Sequence, residues 1–253
     1  MNFTLRKWLA MAAVAALGSG TGAALAQQTY KVGSTPTGVP FTFMDTKTQT
    51  IEGAMVDLVA AIGQDQGFKV QVEATPFSAL IPSLTSNKID IISAAMLITP
   101  ARKEVIDFSD PVFPYPEGMI IKADDNTKYK SLADLKGAVV GAQVGTVYVD
   151  FLKKNGEFAE VKTYDSIADI IRDVGLGRIK AGFGDGPIVR YQLSQRKDSG
   201  AKVSDTYEPK MEGYVGLGVR KGDKDLLAKV NAGLAKVKAS GKLDEILKKW
   251  SLK

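Results

Sequence analysis

The stretch at residues 88–111 constrains the chain most, because a strand pattern passes into a helix start within a few residues. It opens with an apolar run at 89–95, which is typical of a buried β-strand. Thr99 and Pro100 follow as a helix N-cap and a proline in the first helical position. Counting on from them, Arg102 is predicted at the third helical position.

Arg102 is an unusual residue for a helix start. The amino end of a helix carries partial positive charge, so an acidic or amide side chain is favoured there over a cation. A cation beside free backbone N–H groups indicates an anion site for a carboxylate or a phosphate. Alternatively, Arg102 pairs with a nearby acid, and Glu104, Asp107 and Asp110 are within reach along the chain. The sequence leaves both interpretations open.

Residues 1–26 have the three-part pattern of a secretory signal peptide. Arg6 and Lys7 make the start basic, an apolar Ala-rich segment follows, and residues 24–26 form an A-x-A cleavage site. The chain contains no cysteine, and an exported protein that folds without disulfides is typical of the periplasm. We therefore expect a periplasmic protein that is exported through a cleavable signal peptide.

The composition excludes several classes of function. The 253 residues contain no histidine and no cysteine, so Ser-His-Asp catalysis and zinc sites built on these residues are impossible within the chain. The net charge is +5, with bases and acids mixed along the chain, so no nucleic-acid-binding stripe is indicated. The glycine turn at 141–146 lacks the Lys-Ser/Thr ending of a phosphate-binding loop. We expect no cofactor and no metal.

Strand and helix patterns alternate along the remainder of the chain, which predicts an α/β fold with parallel strands. The alternation falls into two runs, so we expect two α/β lobes with a ligand cleft between them. Lobe 1 is predicted to be discontinuous, at 27–112 and 214–253, and lobe 2 is predicted at 118–208. Extended segments at 113–117 and 209–213 are the expected crossings between the lobes.

Four further residues stand at ends of predicted elements, and each has two interpretations. Phe77 opens a helix, where it either faces a cleft or packs in the core. Gly145 and Thr146 form a turn that either receives an anion or is an ordinary tight turn. Asp185 ends the strand predicted at 181–185 and precedes a helix, so it either binds an ammonium group or caps that helix.

These residues become more informative when they are considered together. Arg102 and Asp185 are predicted in different lobes and carry opposite charges. A zwitterion matches such a pair, with its carboxylate on Arg102 and its ammonium group on Asp185, while Phe77 supplies apolar or cation–π contact.

Several short motifs follow one another in a specific combination. They are FSALIPSL at 77–84, KID at 88–90, ITPAR at 98–102, DFSDP at 107–111, GT at 145–146, Asp185, GLGVRKGD at 216–223 and GKL at 241–243. With these motifs the chain resembles the periplasmic amino-acid-binding proteins of ABC importers, the polar amino-acid solute-binding family, over nearly all of its length after residue 26. The resemblance implies a periplasmic-binding-protein-like fold, whose two lobes are joined by hinge strands and close over one amino acid. It also implies a monomer that docks on a membrane permease.

The resemblance implies a role for residues of both lobes in binding the ligand. The residues implied for the carboxylate are Arg102, Thr146 with Gly145 beside it, and the backbone amides near Ala95 and Leu97. Those implied for the ammonium group are Asp185 and the Ala94 carbonyl, and Phe77 is implied as the wall against the ligand side chain.

The chain departs from the family pattern at the positions that read the ligand side chain. Thr35 replaces an acid, Gly38 replaces an aromatic residue that sandwiches the ligand, and Leu97 replaces a Ser or Thr that assists the carboxylate. Gly184 replaces a larger polar residue of some members. The missing acid argues against selectivity for arginine or lysine. The missing aromatic indicates a roomier pocket, or a ligand larger than an ordinary amino acid, such as an amino-acid conjugate.

An enzyme on the same scaffold is the alternative function. A few members of the family are cyclohexadienyl dehydratases that act on prephenate or arogenate, and such chemistry needs an acid in the cleft. Glu117 is the one candidate, and its position near a crossing favours a place in the hinge instead. We therefore expect a binding protein and no enzyme.

Overall fold

The computed structural model describes residues 27–253. The predicted signal peptide at 1–26 lies outside the described residues. The α-helices are α1 (Ala54–Gln66), α2 (Leu80–Thr85), α3 (Pro100–Val105), α4 (Val147–Asn155), α5 (Ile167–Gly175), α6 (Gly186–Gln195), α7 (Lys224–Ala239) and α8 (Lys242–Lys249). The strands are β1 (Thr29–Ser34), β2 (Thr37–Gly38), β3 (Thr42–Met44), β4 (Ile51–Glu52), β5 (Lys69–Ala74), β6 (Ile91–Leu97), β7 (Ile106–Phe108), β8 (Phe113–Pro114), β9 (Glu117–Lys122), β10 (Val139–Gln143), β11 (Glu160–Tyr164), β12 (Ala181–Asp185), β13 (Ala201–Val203) and β14 (Tyr214–Arg220).

The first lobe is built on a mixed sheet with the order β5-β1-β6-β14-β7, and β8 pairs with β14. β1 runs parallel to β5 and β6, as the alternation of strands and helices predicted. β14 is antiparallel to its neighbours, because the chain returns to this sheet from the second lobe. Helices α1, α7 and α8 pack on this lobe, and their apolar faces contribute to a core that is closed to solvent.

The second lobe is built on a five-stranded sheet with the order β11-β10-β12-β9-β13. β10 runs parallel to β11 and β12, whereas β9 is antiparallel to β12 and β13. Two α/β lobes are therefore present, and the predicted fold class is confirmed. Within residues 27–253, no helix combines the length and the apolar character needed to cross a bilayer.

A small third sheet, β2-β3-β4, extends from the first lobe toward α5 of the second. Of its strands, the sequence pattern predicted only one, at 41–43, which corresponds to β3. β2 and β4 have two residues each, which is too short for an alternating pattern to reveal them.

The two crossings run side by side and are hydrogen-bonded to each other. The Tyr115 N–H donates to the Gly213 carbonyl at 2.7 Å, and the Glu117 N–H donates to the Met211 carbonyl at 3.0 Å. The strands that precede and follow this ribbon belong to different sheets. This arrangement supports the proposed crossings at 113–117 and 209–213 as the hinge.

The helix starts follow local capping chemistry. α3 begins as predicted, because Thr99 Oγ1 accepts a hydrogen bond from the Arg102 N–H at 3.3 Å and Pro100 is the first helical residue. The helix predicted from Phe77 is instead a 3-10 turn, Phe77–Ala79, that leads into α2. The turn leaves Phe77 half-buried at the edge of the second core cluster.

Candidate functional site

Both lobes direct the carboxyl ends of parallel strands toward the space between them. In lobe 1 these are the ends of β1 and β6, and in lobe 2 they are the ends of β10 and β12. Ligands of open α/β sheets bind at such strand ends. Most of the residues that the sequence predicted as ligand contacts lie on these ends or on the turns that follow them.

Arg102 lies between the two lobes, with 9% of its surface exposed. Its Nη1 donates to the Leu97 carbonyl at 2.9 Å, and its Nη2 donates to the Gly145 carbonyl of the other lobe at 3.2 Å. No ion pair within residues 27–253 links it to the three acids considered above, and Asp107 pairs with Lys221 at 2.7 Å. Burial lowers the pKa of Arg102, and the charge of Asp185 opposes that change. The ion-pair interpretation of Arg102 is therefore wrong.

Phe77 lies beside the guanidinium group of Arg102. The distance from the Arg102 Cζ to the centre of the Phe77 ring is 5.7 Å, which is within cation–π range. The ring also packs against the smaller core cluster of lobe 1. Both interpretations of Phe77 thus describe part of its environment.

β6 is irregular at the residues that were expected to offer backbone groups. Its pairing with β14 shifts register, so that three residues of β6 at 93–95 lie opposite Leu217 alone. Ala95 has φ 49, a left-handed conformation that costs a residue with a side chain about 1 to 3 kcal/mol. Such strain concentrates at functional sites, and here it lies at Ala95, which together with Ala94 was predicted to offer backbone groups to the ligand.

Asp185 is the last residue of β12, with 8% of its surface exposed. It precedes α6, yet its side chain makes no capping hydrogen bond, so the capping interpretation is wrong. Its Oδ1 accepts a hydrogen bond from the Tyr148 hydroxyl at 2.7 Å. Burial raises the pKa of Asp185 to about 6, against the opposing effects of the Tyr148 hydrogen bond and the Arg102 charge.

Gly145 brings the lobes into direct contact. Its φ is +77, and a Cβ built on it would lie 2.6 Å from the Ser78 Cα of lobe 1. Thr146, the N-cap of α4, makes no side-chain capping bond. Its hydroxyl donates to the Gln143 carbonyl at 2.6 Å, and its N–H donates to the same oxygen at 3.2 Å. In this arrangement Thr146 closes a tight turn, and its hydroxyl proton is not directed at a ligand carboxylate.

Three of the positions that depart from the family pattern, Thr35, Gly38 and Leu97, lie in lobe 1, whereas Gly184 lies on β12 of lobe 2. Thr35 is buried, and its Oγ1 is 3.3 Å from the Thr37 Oγ1. A Cβ at Gly38 would lie 3.3 Å from the Thr35 Cγ2, so these two small residues pack closely together. The Leu97 side chain belongs to the main core cluster, and Leu97 reaches Arg102 through its carbonyl oxygen.

Glu117 is buried at the hinge, with 1% of its surface exposed. Its Oε1 accepts hydrogen bonds from the Tyr207 hydroxyl at 2.6 Å and from the Lys210 N–H at 2.7 Å. Burial raises the pKa of Glu117 above its ordinary range. The side chain therefore joins the first crossing to the start of the second.

Sequence reasoning missed two residues beside Asp185. Tyr148 is the second residue of α4, and Tyr115 lies in the first crossing. Both phenols are buried, and burial together with the charge of Asp185 raises both pKa values well above the ordinary value. A tyrosine in the first turn after the Gly145-Thr146 motif was the available signal for Tyr148, because such a residue adjoins the strand ends.

Comparisons with known proteins identify the family to which the chain belongs. The model of the bacterial extracellular solute-binding proteins, family 3, matches residues 30–253. The ABC transporter arginine-binding protein 1 of Escherichia coli (strain K12) is 31% identical, over 96% of this chain and 98% of the relative. The L-cystine-binding protein TcyJ of the same strain is 28% identical, over 88% of this chain and 82% of the relative.

A solved structure of an ancestral arginine-binding protein bound to glutamine superposes with a TM-score of 0.82 and 34% identity. The superposition covers 90% of this chain and 99% of the chain of the ancestral protein. These relatives are named as binding proteins, so a non-enzymatic role is supported and the dehydratase alternative is not favoured. The chain belongs to the bacterial extracellular solute-binding proteins of family 3, as an amino-acid-binding protein of an ABC importer.

Proposed function

We propose that the cleft binds the zwitterionic head of an amino acid, with the ligand carboxylate on Arg102 and the ligand ammonium group on Asp185. The observation that carries the proposal is the pair itself. These two buried side chains belong to different lobes and carry opposite charges, and the charge of each affects the pKa of the other. No ion pair within residues 27–253 joins them. A ligand that carries both charges can lie between them and neutralise each one.

The hydrogen bonds of Arg102 prepare it for this role. A guanidinium group has five N–H donors, and two carbonyl oxygens hold the group in one orientation through two of them. The remaining donors are available for a carboxylate. Because one of the two carbonyls is that of Gly145 in the other lobe, Arg102 also couples ligand binding to lobe closure.

The ligand side chain is proposed to be uncharged. Where an acid would read a cationic side chain, this chain has Thr35, and its neighbour Gly38 offers only backbone. Both positions are buried beside one another. A cation placed there would lose its hydration without gaining a countercharge. Neutral amino acids, or a larger conjugate of one, fit this environment better than arginine or lysine.

Calorimetric titration of protein that has been unfolded and refolded to remove bound ligand tests the proposal. L-glutamine, L-cystine, L-histidine, L-arginine, L-lysine and an amino acid acylated on its side chain form the panel. We expect a neutral compound to bind tightest, and the tightest binding by arginine or lysine would contradict the assignment of the side-chain pocket.

Two variants test the clamp itself. Arg102→Ala and Asp185→Asn each remove one charge, and hydrogen bonds to charged groups contribute about 1.5 to 3 kcal/mol each. We expect each variant to bind at least about 10-fold more weakly while the far-ultraviolet circular dichroism stays unchanged. Near-native affinity in either folded variant would refute the clamp.

We also propose the cellular setting of this function. The predicted signal peptide at 1–26 would export the chain to the periplasm. There the protein would act as a monomer and deliver its ligand to the permease subunits of an ABC transporter in the inner membrane. Cell fractionation and size-exclusion chromatography test the location and the oligomeric state.

A further inference from the structure

Within residues 27–253, Tyr148 donates the one side-chain hydrogen bond that the Asp185 carboxylate receives. Its hydroxyl donates to Oδ1 at 2.7 Å, and its own side chain is only 1% exposed. The short α4 helix begins directly after the turn that follows β10, and β10 is the parallel neighbour of β12. This connection places the first turn of α4 beside the end of β12, where Asp185 lies.

We propose that Tyr148 is a positioning residue of the site, which holds the Asp185 carboxylate in one orientation and in its charged form for the ligand ammonium group. The inference rests on the proposed function, because it assumes that Asp185 contacts that group. Tyr148 itself acts through Asp185.

Four ionisable or charged groups face Asp185 from the elements packed around it. Arg102 of α3 attracts the carboxylate, and Glu117 lies directly opposite it on the paired strand β9. Tyr115 of the first crossing is close enough for its pKa to respond to the charge of Asp185, but its hydroxyl makes no hydrogen bond within residues 27–253. Tyr148 is the remaining group, and it donates the side-chain hydrogen bond to this carboxylate.

The hydrogen bond matters because the pKa of the Asp185 carboxyl lies close to neutral pH. Burial raises its pKa to about 6, and the Tyr148 hydrogen bond acts in the opposite direction. A hydrogen bond to a charged group corresponds to about one to two pKa units. Without it, Asp185 would titrate at about pH 7 to 8, so that about half or more of the molecules would carry a neutral acid at pH 7. A neutral acid attracts an ammonium group weakly.

A Tyr148→Phe variant tests the inference without requiring a known ligand. The readout is the pH titration of the Asp185 side-chain carbon by nuclear magnetic resonance on protein with carboxyl-labelled aspartate, and Asp185→Asn identifies the signal. We expect the midpoint in Tyr148→Phe to lie about one unit or more above that of the wild type. An unchanged midpoint would overturn the inference.

The chain offers a matched control in the same lobe. The Tyr164 hydroxyl donates to the Asp173 Oδ2 at 2.9 Å, which is the same type of bond at another position. Tyr164→Phe therefore removes an equivalent phenol–carboxylate bond, and it should leave the Asp185 midpoint unchanged. An equal shift in both variants would assign the effect to a general loosening of the lobe and would overturn the role of Tyr148.

Binding measurements separate this inference from the proposed function. The ligand is whichever of L-glutamine, L-cystine, L-histidine and L-arginine binds the wild type tightest. At pH 7, Tyr148→Phe should bind it about 2- to 10-fold more weakly, with a larger deficit at pH 6. If Asp185→Asn keeps wild-type affinity, the clamp is wrong. If Asp185→Asn loses affinity while Tyr148→Phe matches the wild type at every pH, only the role of Tyr148 is wrong.

Discussion

A Gly145→Ala substitution should weaken ligand binding by holding the lobes apart. The Cβ that it adds would lie 2.6 Å from the Ser78 Cα, 2.9 Å from its Cβ and 3.1 Å from its backbone nitrogen. Carbon atoms in contact are about 3.5 to 4.0 Å apart. The lobes would therefore have to separate by about 1 Å at this point, and Arg102 would lose its hydrogen bond to the Gly145 carbonyl.

The expected magnitude has two parts. The left-handed conformation of residue 145, with φ +77, costs an alanine about 1 to 2 kcal/mol, and this strain is present whether the lobes are open or closed. The clash with Ser78 exists only when they are closed. Overpacking of this kind costs about 1 to 3 kcal/mol, which corresponds to an affinity about 5- to 150-fold lower.

Gly177→Ala is the matched control for the backbone strain. Gly177 has φ +71, and a Cβ added to it would meet nothing within 4 Å. Both variants should therefore lower the melting temperature by a similar amount, whereas only Gly145→Ala should lose affinity in calorimetric titration. Small-angle X-ray scattering should also detect less compaction on ligand addition in Gly145→Ala than in Gly177→Ala.

Equal ligand affinity in Gly145→Ala and Gly177→Ala would refute the predicted clash between the lobes. Such a result would mean that the lobes of the ligand-bound protein do not meet at residues 78 and 145. The contact would then belong to an arrangement that the ligand does not stabilise.

Three further predictions concern the charged groups of the site. Ligand affinity, measured by calorimetry from pH 5 to 8, should fall as the pH drops through about 6, because Asp185 becomes protonated there; a flat profile would exclude Asp185 as the ammonium partner. Without ligand, Asp185→Asn should raise the melting temperature more at pH 8 than at pH 5. The folded-state pKa of Asp185, about 6, lies above its ordinary value, so its destabilising effect grows as the pH rises from that ordinary value toward about 6 and levels off above it at no more than about 3 kcal/mol. Arg102→Lys should bind at least about 10-fold more weakly than the wild type, because an ammonium group cannot reproduce the fork that meets the Leu97 and Gly145 carbonyls; near-native affinity in calorimetry would show that charge alone is sufficient.

The sequence predicted those parts of the structure that depend on neighbouring residues. The start of α3 follows from Thr99 and Pro100, which satisfy and restrict the backbone within one turn. β12 was predicted with its observed bounds, Ala181–Asp185, because a short apolar segment there is bounded by a helix start. The sequence also indicated that Arg102 and Asp185 share a site, and the structure brings them close enough for the charge of each to affect the pKa of the other.

The sequence did not predict the features that arise from contacts between distant segments. The hydrogen bond from Tyr148 joins residues 37 positions apart, and no local pattern encodes it. The left-handed backbone of Ala95 depends on the register shift against β14, since alanine has no intrinsic preference for it. The turn at Thr146 is a local exception, in which its hydroxyl donates to the Gln143 carbonyl three residues earlier, and the Gly145-Thr146 motif did not reveal this bond.

Unfavourable terms are concentrated where the two lobes meet. Asp185 is a buried carboxylate with a raised pKa, Arg102 is a buried guanidinium group with a lowered pKa, and Ala95 has a strained backbone. Folding alone does not require these features, since burying a charge disfavours the charged state. A zwitterionic ligand would supply the missing countercharge to both side chains at once. Its binding should therefore stabilise the closed protein in proportion to the logarithm of ligand concentration above the dissociation constant. The countercharge that the ligand supplies is a physical reason for these costly groups at the boundary between the lobes.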